Sequence, residues 1–186
     1  FGEWKFGAGK ALRSLVYVTV STGIGGGVVV DDHLLRGRRG MAGHVGHFVV
    51  DQDGPRCSCG AQGCFEAIAS GTALGIAARN SGFSGAPAMV EAARNGDTLA
   101  LKLLDQEAEH LGRGFTSLLH LYSPERLIMG GGVSQAIDLM LPRIRECIDK
   151  FAMPPFRSVE VVPAMFGDNA GLIGAAMLSY FKNYRA

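Results

Sequence analysis

At 186 residues the chain is long enough to bury a core of its own, as one domain or one large lobe of a two-lobe enzyme. With 47% hydrophobic against 19% charged residues, and 18 basic against 17 acidic side chains, it is neither disordered nor an electrostatic binder of nucleic acid or membrane surfaces. That leaves a small molecule or a protein as partner, and the absence of any apolar run near the roughly 20 residues of a membrane helix makes a soluble, cytoplasmic protein the expectation.

The chain opens at Phe1, without an initiator Met and inside an expected helix over 1–9, so a segment upstream is expected. Residues 15–20 form a β-branched and aromatic run, followed by a glycine turn and a second run over 27–31; the pair reads as a hairpin. A third strand is expected over 47–51, then a cysteine loop over 52–64, then a helix over 65–79. A connector (81–87) and a short helix (88–95, stopped at Gly96) precede a long amphipathic helix that Asp97 can cap and Ser123-Pro124 ends. Strand 125–129 runs into Gly130-Gly131-Gly132 and a helix over 133–151, which is a nucleotide-binding shape. A strand over 159–162 and a helix over 169–184 close an α/β domain with a mixed sheet.

Three of the four cysteines fall within eight residues. With His47, the thiols of Cys57, Cys59 and Cys64 make the donor set of a closed tetrahedral zinc site, for which Gly60 and Gly63 ease the backbone. Unliganded thiols or a disulfide are the alternative, and Cys57 with Cys59 is a sterically poor pair. His44 competes as fourth ligand, but a strand from 44 to 47 would point the two imidazoles to opposite faces.

Thr22-Gly-Ile-Gly-Gly-Gly27 offers unobstructed amide N–H groups and one hydroxyl, suited to a polyphosphate with no lysine nearby. A plain hairpin turn is the alternative, since such turns also use glycine. The pattern lacks the Gly-Lys-Ser/Thr of a Walker loop and the helix that follows a dinucleotide fingerprint. The second cluster, Gly130 to Gly132, can lie flat against an adenine ring, so the two cradles point to one nucleotide.

Val20-Ser-Thr-Gly-Ile-Gly-Gly-Gly-Val28 with Gly37 and Gly43-His-Val-Gly46-His47 resembles the signature of the ROK family of bacterial sugar kinases and sugar-responsive repressors. Cys57-Ser-Cys59-Gly60-Ala-Gln-Gly63-Cys64-Phe-Glu66 resembles that family's zinc motif with its sugar-binding glutamate. The opening segment, Leu127-Ile-Met-Gly-Gly-Gly-Val-Ser134 and 167–176 extend the likeness over nearly the whole chain, and the stretch from Asp53 looks closest to the glucokinase and N-acetylmannosamine kinase branches.

The resemblance implies an actin-like ATPase (ribonuclease-H-like) fold: a mixed β-sheet flanked by helices, with a zinc-binding loop. It implies that residues 1–186 are the C-terminal, larger lobe of an ATP-dependent hexose kinase acting on glucose or an N-acetylhexosamine with Mg²⁺. Thr22, Gly23, Gly25 and Gly26 would serve the phosphates and Gly131 and Gly132 the adenosine. His47, Cys57, Cys59 and Cys64 would hold structural zinc, and Glu66, His47 and His44 would meet the sugar. For Glu66, a first-turn acid placed for the helix dipole is the alternative.

Three departures accompany the likeness. His44 stands where family kinases carry a sugar-contacting Glu. The family's Asp-x-Gly-Gly-Thr phosphate loop has no counterpart here, nor has its catalytic aspartate, which is expected before Phe1, Glu3 matching a separate helix position. These 186 residues alone are therefore expected to be inactive. The implied partners are hexose, ATP and a second copy in a homodimer, with no membrane and no nucleic acid. A ROK-type repressor lacking its DNA-binding end, or a zinc-stabilised interaction module, are the competing functions, and Cys147, His33, His110 and His120 are expected to be structural or surface residues.

Overall fold

A computed structural model describes residues 1–180. Five strands, β1 (Leu15–Val20), β2 (Ile24–Val30), β3 (His33–Leu34), β4 (Arg126–Gly130) and β5 (Glu160–Pro163), form one sheet in the order β3-β2-β1-β4-β5. β2 is antiparallel to both β1 and β3, while β4 is parallel to β1 and to β5. The parallel return from β1 to β4 demands a long crossover, filled by α2 (Phe65–Ala69), α3 (Gly71–Asn80), α4 (Ala86–Arg94) and α5 (Thr98–Tyr122). α6 (Ile137–Phe151) provides the crossover from β4 to β5; α1 (Gly2–Phe6) and α7 (Ala170–Tyr180) lie at the two ends of the described chain.

Strand alternation divides the core. Val16, Val18, Val20, Val28, Leu127, Met129 and Val161 belong to the main core, which includes Leu104, Leu111, Phe115 and Leu118 of α5 and Met140, Ile144 and Ile148 of α6. Leu15, Val29 and Ile128 point to the other face, where Trp4 of α1 covers them and donates its indole N–H to Leu12 O at 2.9 Å. Both faces of β1 and β4 are thereby buried, which explains why those strands read as continuous apolar runs.

Several boundaries differ from expectation. The first helix closes at Phe6 rather than residue 9, because Gly7 leaves helical geometry. β2 begins at Ile24, so Gly25, Gly26 and Gly27 are strand residues opposite Thr19, Val18 and Tyr17, and the turn itself is only residues 21–23. The strand expected over 47–51 is absent: Val49 makes one isolated bridge to Cys64, and the N–H groups of Val50 and Asp51 both turn to Gly63 O, at 2.9 and 3.4 Å. Pairing with the cysteine loop replaces pairing with the sheet.

The expected helix over 65–79 is broken at Ser70, which is extended (ψ 162°) and caps α3 by accepting the N–H of Ala73 at 3.3 Å. The helix expected from 133 starts as a 3₁₀ turn over Gly132–Ala136 before α6. Of the last expected helix, residues 181–184 lie outside the described residues.

Candidate active site and metal centre

The cysteine loop closes on itself through Cys57 N–H to Ala61 O (2.8 Å) and Gly60 N–H to Cys57 O (3.0 Å). Gly63 has φ +72°, and a Cβ there would fall 1.5 Å from Asp51 O, so glycine is the one residue the loop accepts at that point. This geometry returns Cys64 to the N-cap of α2. His47, Cys57, Cys59 and Cys64 then bring one ligand atom each to within 4.8 Å of one another.

Cys57 Sγ lies 3.6 Å from His47 Nδ1, and Cys59 Sγ 3.6 Å from Cys64 Sγ. A tetrahedron with sulfur at about 2.3 Å and nitrogen at about 2.0 Å from its centre has S–S and S–N edges of roughly 3.8 and 3.5 Å, and these two distances are close to those edges. Cys57 and Cys64 are unequal. The backbone N–H of Cys59, with lesser help from the neighbouring side chains, lowers the Cys57 thiol to about 7, whereas burial raises Cys64 to about 12. A dication held among them would favour the thiolate at every position.

His44 does not join the cluster. The chain turns between the two histidines, with His47 N–H donating to His44 O at 3.2 Å, and the rings stack with centroids 6.0 Å apart and planes at 23°. The expectation of opposite faces fails because the segment is not a strand. With Nδ1 of His47 beside Cys57, Nε2 is left as the ring's second polar atom.

Glu66 follows from the same loop. Phe65 is fully buried, stacked on Phe48 at 5.4 Å and edge-on to Phe115 at 6.2 Å, and its ring fills the notch at Gly114, where a Cβ would meet it at 2.4 Å. That anchor fixes the start of α2, and Glu66 N–H donates to Gly46 O at 2.8 Å. The Glu66 carboxylate accepts the N–H of Ile24 at 2.9 Å through Oε2. Glycine is required at Gly46, where a Cβ would lie 2.3 Å from Ile24 O, whereas a Cβ on Gly23 would lie 2.4 Å from Glu66 Oε2 and push that carboxylate aside. Glu66 is indeed a first-turn acid, but α2 spans only five residues, and the defined partner of its carboxylate is the glycine turn.

A cavity of about 680 Å³ opens beside that turn, large enough for a nucleotide. Ser21 and Thr22 line it together with Gly71 and Thr72 from the start of α3 and Gly132 and Val133 after β4, so the turn after β1 and the turn after β4 share one space. Gly71 N–H donates to Ser21 O at 2.6 Å and Thr72 Oγ1 to Thr22 O at 2.7 Å. Across the cavity, Arg94 of α4 grips Asp138 of α6 through two bonds of 2.7 and 2.9 Å and also meets Gln135 O, and this pairing holds the Asp138 carboxyl below its ordinary value.

Of the six residues expected to serve the nucleotide, Thr22 and Gly132 line the cavity. Gly23 lies under Glu66, and Gly25 and Gly26 are paired in β2, with Val45 packed on Gly26. Gly131 has φ +86°, and a Cβ there would meet Val20 O at 2.4 Å; it lets β4 turn closely past the end of β1. Glu3 is buried with both oxygens committed, Oε2 to Ala8 N–H and Oε1 to Phe166 N–H, each at 2.8 Å, which makes it a structural tie. Cys147 is buried in α6 and stands outside the cysteine cluster. Sequence reasoning passed over Ser21, Gly71 and Thr72; Ser70-Gly71 inside an apolar periodic run is the signal that would have marked a second helix start there.

The sequence profile of the ROK family matches residues 1–181. A glucokinase of Thermotoga maritima is 38% identical over 95% of this chain and 61% of its own length, and a xylose repressor of Bacillus spizizenii is 33% identical over 96% of this chain and 47% of its own. The crystal structure of a ROK family glucokinase from Streptomyces griseus, in complex with glucose and AMPPNP, superposes with a TM-score of 0.83 at 36% identity, covering 95% of this chain and 64% of that one. The chain thus spans about three fifths of the length of the glucokinases it matches.

Proposed function

This chain belongs to the ROK family, with the family's actin-like mixed sheet and flanking helices, and from that membership and the site geometry we propose that it is the sugar- and nucleotide-binding lobe of an ATP-dependent hexose kinase acting on glucose or an N-acetylhexosamine. One observation carries the proposal: the Glu66 carboxylate rests on the same glycine turn whose other side lines the 680 Å³ cavity. An acceptor for sugar hydroxyls and a polyphosphate-sized space thereby share one short segment, which is what transfer of a phosphoryl group between the two ligands requires.

In this reading Glu66 accepts a hydrogen bond from one sugar hydroxyl, and Nε2 of His47 and the His44 ring address others. Thr22 faces the phosphates and Gly132 the adenosine, these being the two of the six expected nucleotide residues that line the cavity. His47, Cys57, Cys59 and Cys64 would hold zinc, which would supply rigidity to the loop that presents Glu66, a role the closeness of those four side chains supports. Mg²⁺ supplies charge neutralisation on the transferring phosphates when ATP is bound. The base that takes the proton from the sugar 6-hydroxyl is proposed to be an aspartate in a part of the protein these 186 residues do not include, since Glu3 is already committed.

No helix among the described residues is long and apolar enough to cross a membrane, and a cytoplasmic homodimer is the proposed state. The likeness to a xylose repressor supports a second reading, a sugar sensor whose DNA-binding part lies elsewhere in the protein. An ATP-coupled assay of the full protein with glucose, mannose and their N-acetylated amines decides. Turnover with one of these sugars establishes the kinase; sugar binding without turnover establishes the sensor. The 186 residues alone are expected to show no turnover, and turnover by them would refute the proposed division of the site.

A further inference from the structure

We infer that Thr72 is a positioning residue for the polyphosphate of the nucleotide, an inference that rests on the kinase reading. An anion-binding turn has two requirements: its N–H groups must face the ligand, and its carbonyl oxygens must not. In the turn after β1 the two carbonyls at issue are both consumed from the same side by the start of α3, Ser21 O by the Gly71 N–H at 2.6 Å and Thr22 O by the Thr72 hydroxyl at 2.7 Å. A peptide unit is planar and trans, so its C=O and the following N–H point in opposite directions. Holding Ser21 O aims the N–H of Thr22, and holding Thr22 O aims the N–H of Gly23.

The next N–H along, that of Ile24, is committed to Glu66. The turn is therefore strapped at both ends, by α2 through a carboxylate and by α3 through one amide and one hydroxyl. Of the two contacts from α3, only the hydroxyl depends on a side chain. Thr72 lines the cavity and is exposed, so its hydroxyl is not needed to complete a buried core, and the bond it makes has a purpose at the site rather than in the fold.

The experiment compares the full protein with Thr72→Val, which keeps the shape and removes the donor, and Thr72→Ser, which restores the donor. Calorimetry gives the affinity of each for Mg·ATP and for inorganic tripolyphosphate, and the thermal shift induced by the best-bound hexose is recorded alongside. Thr72→Val is expected to weaken ATP and tripolyphosphate alike by about three- to tenfold, the worth of one hydrogen bond, with Thr72→Ser within twofold of the native protein and the hexose shift unchanged. Native affinity for both polyphosphates in Thr72→Val overturns the inference while leaving the kinase reading intact. Equal loss of hexose and polyphosphate binding assigns Thr72 to general structure and also overturns it. Failure of the native protein to bind either polyphosphate removes the kinase reading and the inference together.

Discussion

Replacing Glu66 by Gln and by Ala separates its two roles. In the structure its Oε2 accepts the N–H of Ile24, a residue only 4% exposed. Gln keeps an acceptor oxygen, so the turn stays tied and stability is expected to fall by less than about 0.5 kcal/mol. Ala leaves that N–H without a partner, at a cost of about 1–3 kcal/mol, and for a chain of this size each kcal/mol lowers the melting temperature by roughly 2–4 °C. Sugar binding is expected to divide differently. Both variants lose the charged acceptor, worth about 1.5–3 kcal/mol, so the dissociation constant of the preferred hexose should rise roughly 10- to 150-fold in each. Calorimetry with the hexose and thermal melting of the unliganded proteins read the two effects independently. A Gln variant that binds hexose like the native protein would refute the sugar role, and an Ala variant that melts with the native protein would refute the strap.

Elemental analysis should find about one zinc per chain, lost on Cys64→Ser but retained on Cys147→Ser, because only the first removes a sulfur of the cage; equal zinc in both would contradict the assignment. Glu107 of α5 is 4% exposed, one of its oxygens has no hydrogen-bond partner, and burial raises its carboxyl from an ordinary 4.5 to about 8. The folded state therefore keeps a proton that the unfolded state releases above 4.5, so stability falls as pH rises from 4.5 to 8 and is level beyond; on the order of 5 kcal/mol is at stake. Glu107→Gln should flatten that slope in urea titrations between pH 5 and 8, and an unchanged slope would show that other groups cause it. Gly46→Ala would put a Cβ 2.3 Å from Ile24 O, so it should cost about 1–3 kcal/mol and abolish the hexose response while zinc content is kept; a normal hexose response would mean that the contact between the histidine segment and the turn is not needed.

The donor set of the metal centre was readable from the chain, because three sulfurs and an imidazole so close in sequence have few other uses. So were α5 and α6, from their long apolar periodicity, and β1 and β4, from short continuous apolar runs that are buried on both faces. The segment 47–51 was misjudged because its β-branched and aromatic residues fit a strand equally well, and the choice belonged to Gly63 O, which drew the N–H groups of Val50 and Asp51 away from the sheet. The break at Ser70 was hidden by the apolar pattern that runs through it on both sides.

Composition and spacing determined which atoms the protein could use: thiolates, an imidazole, a carboxylate and bare amides, because local chemistry belongs to residue types and their order. Only the folded chain decided which of those atoms meet. That Glu66 takes the N–H of Ile24, 42 residues away in sequence, and that Thr72 takes the carbonyl of Thr22, 50 away, follows from how α2 and α3 dock on the end of β1. Hydrogen bonds of that span are set by the packing of Phe65 into the Gly114 notch and by the crossover between parallel strands, and neither leaves a mark in any short stretch of sequence.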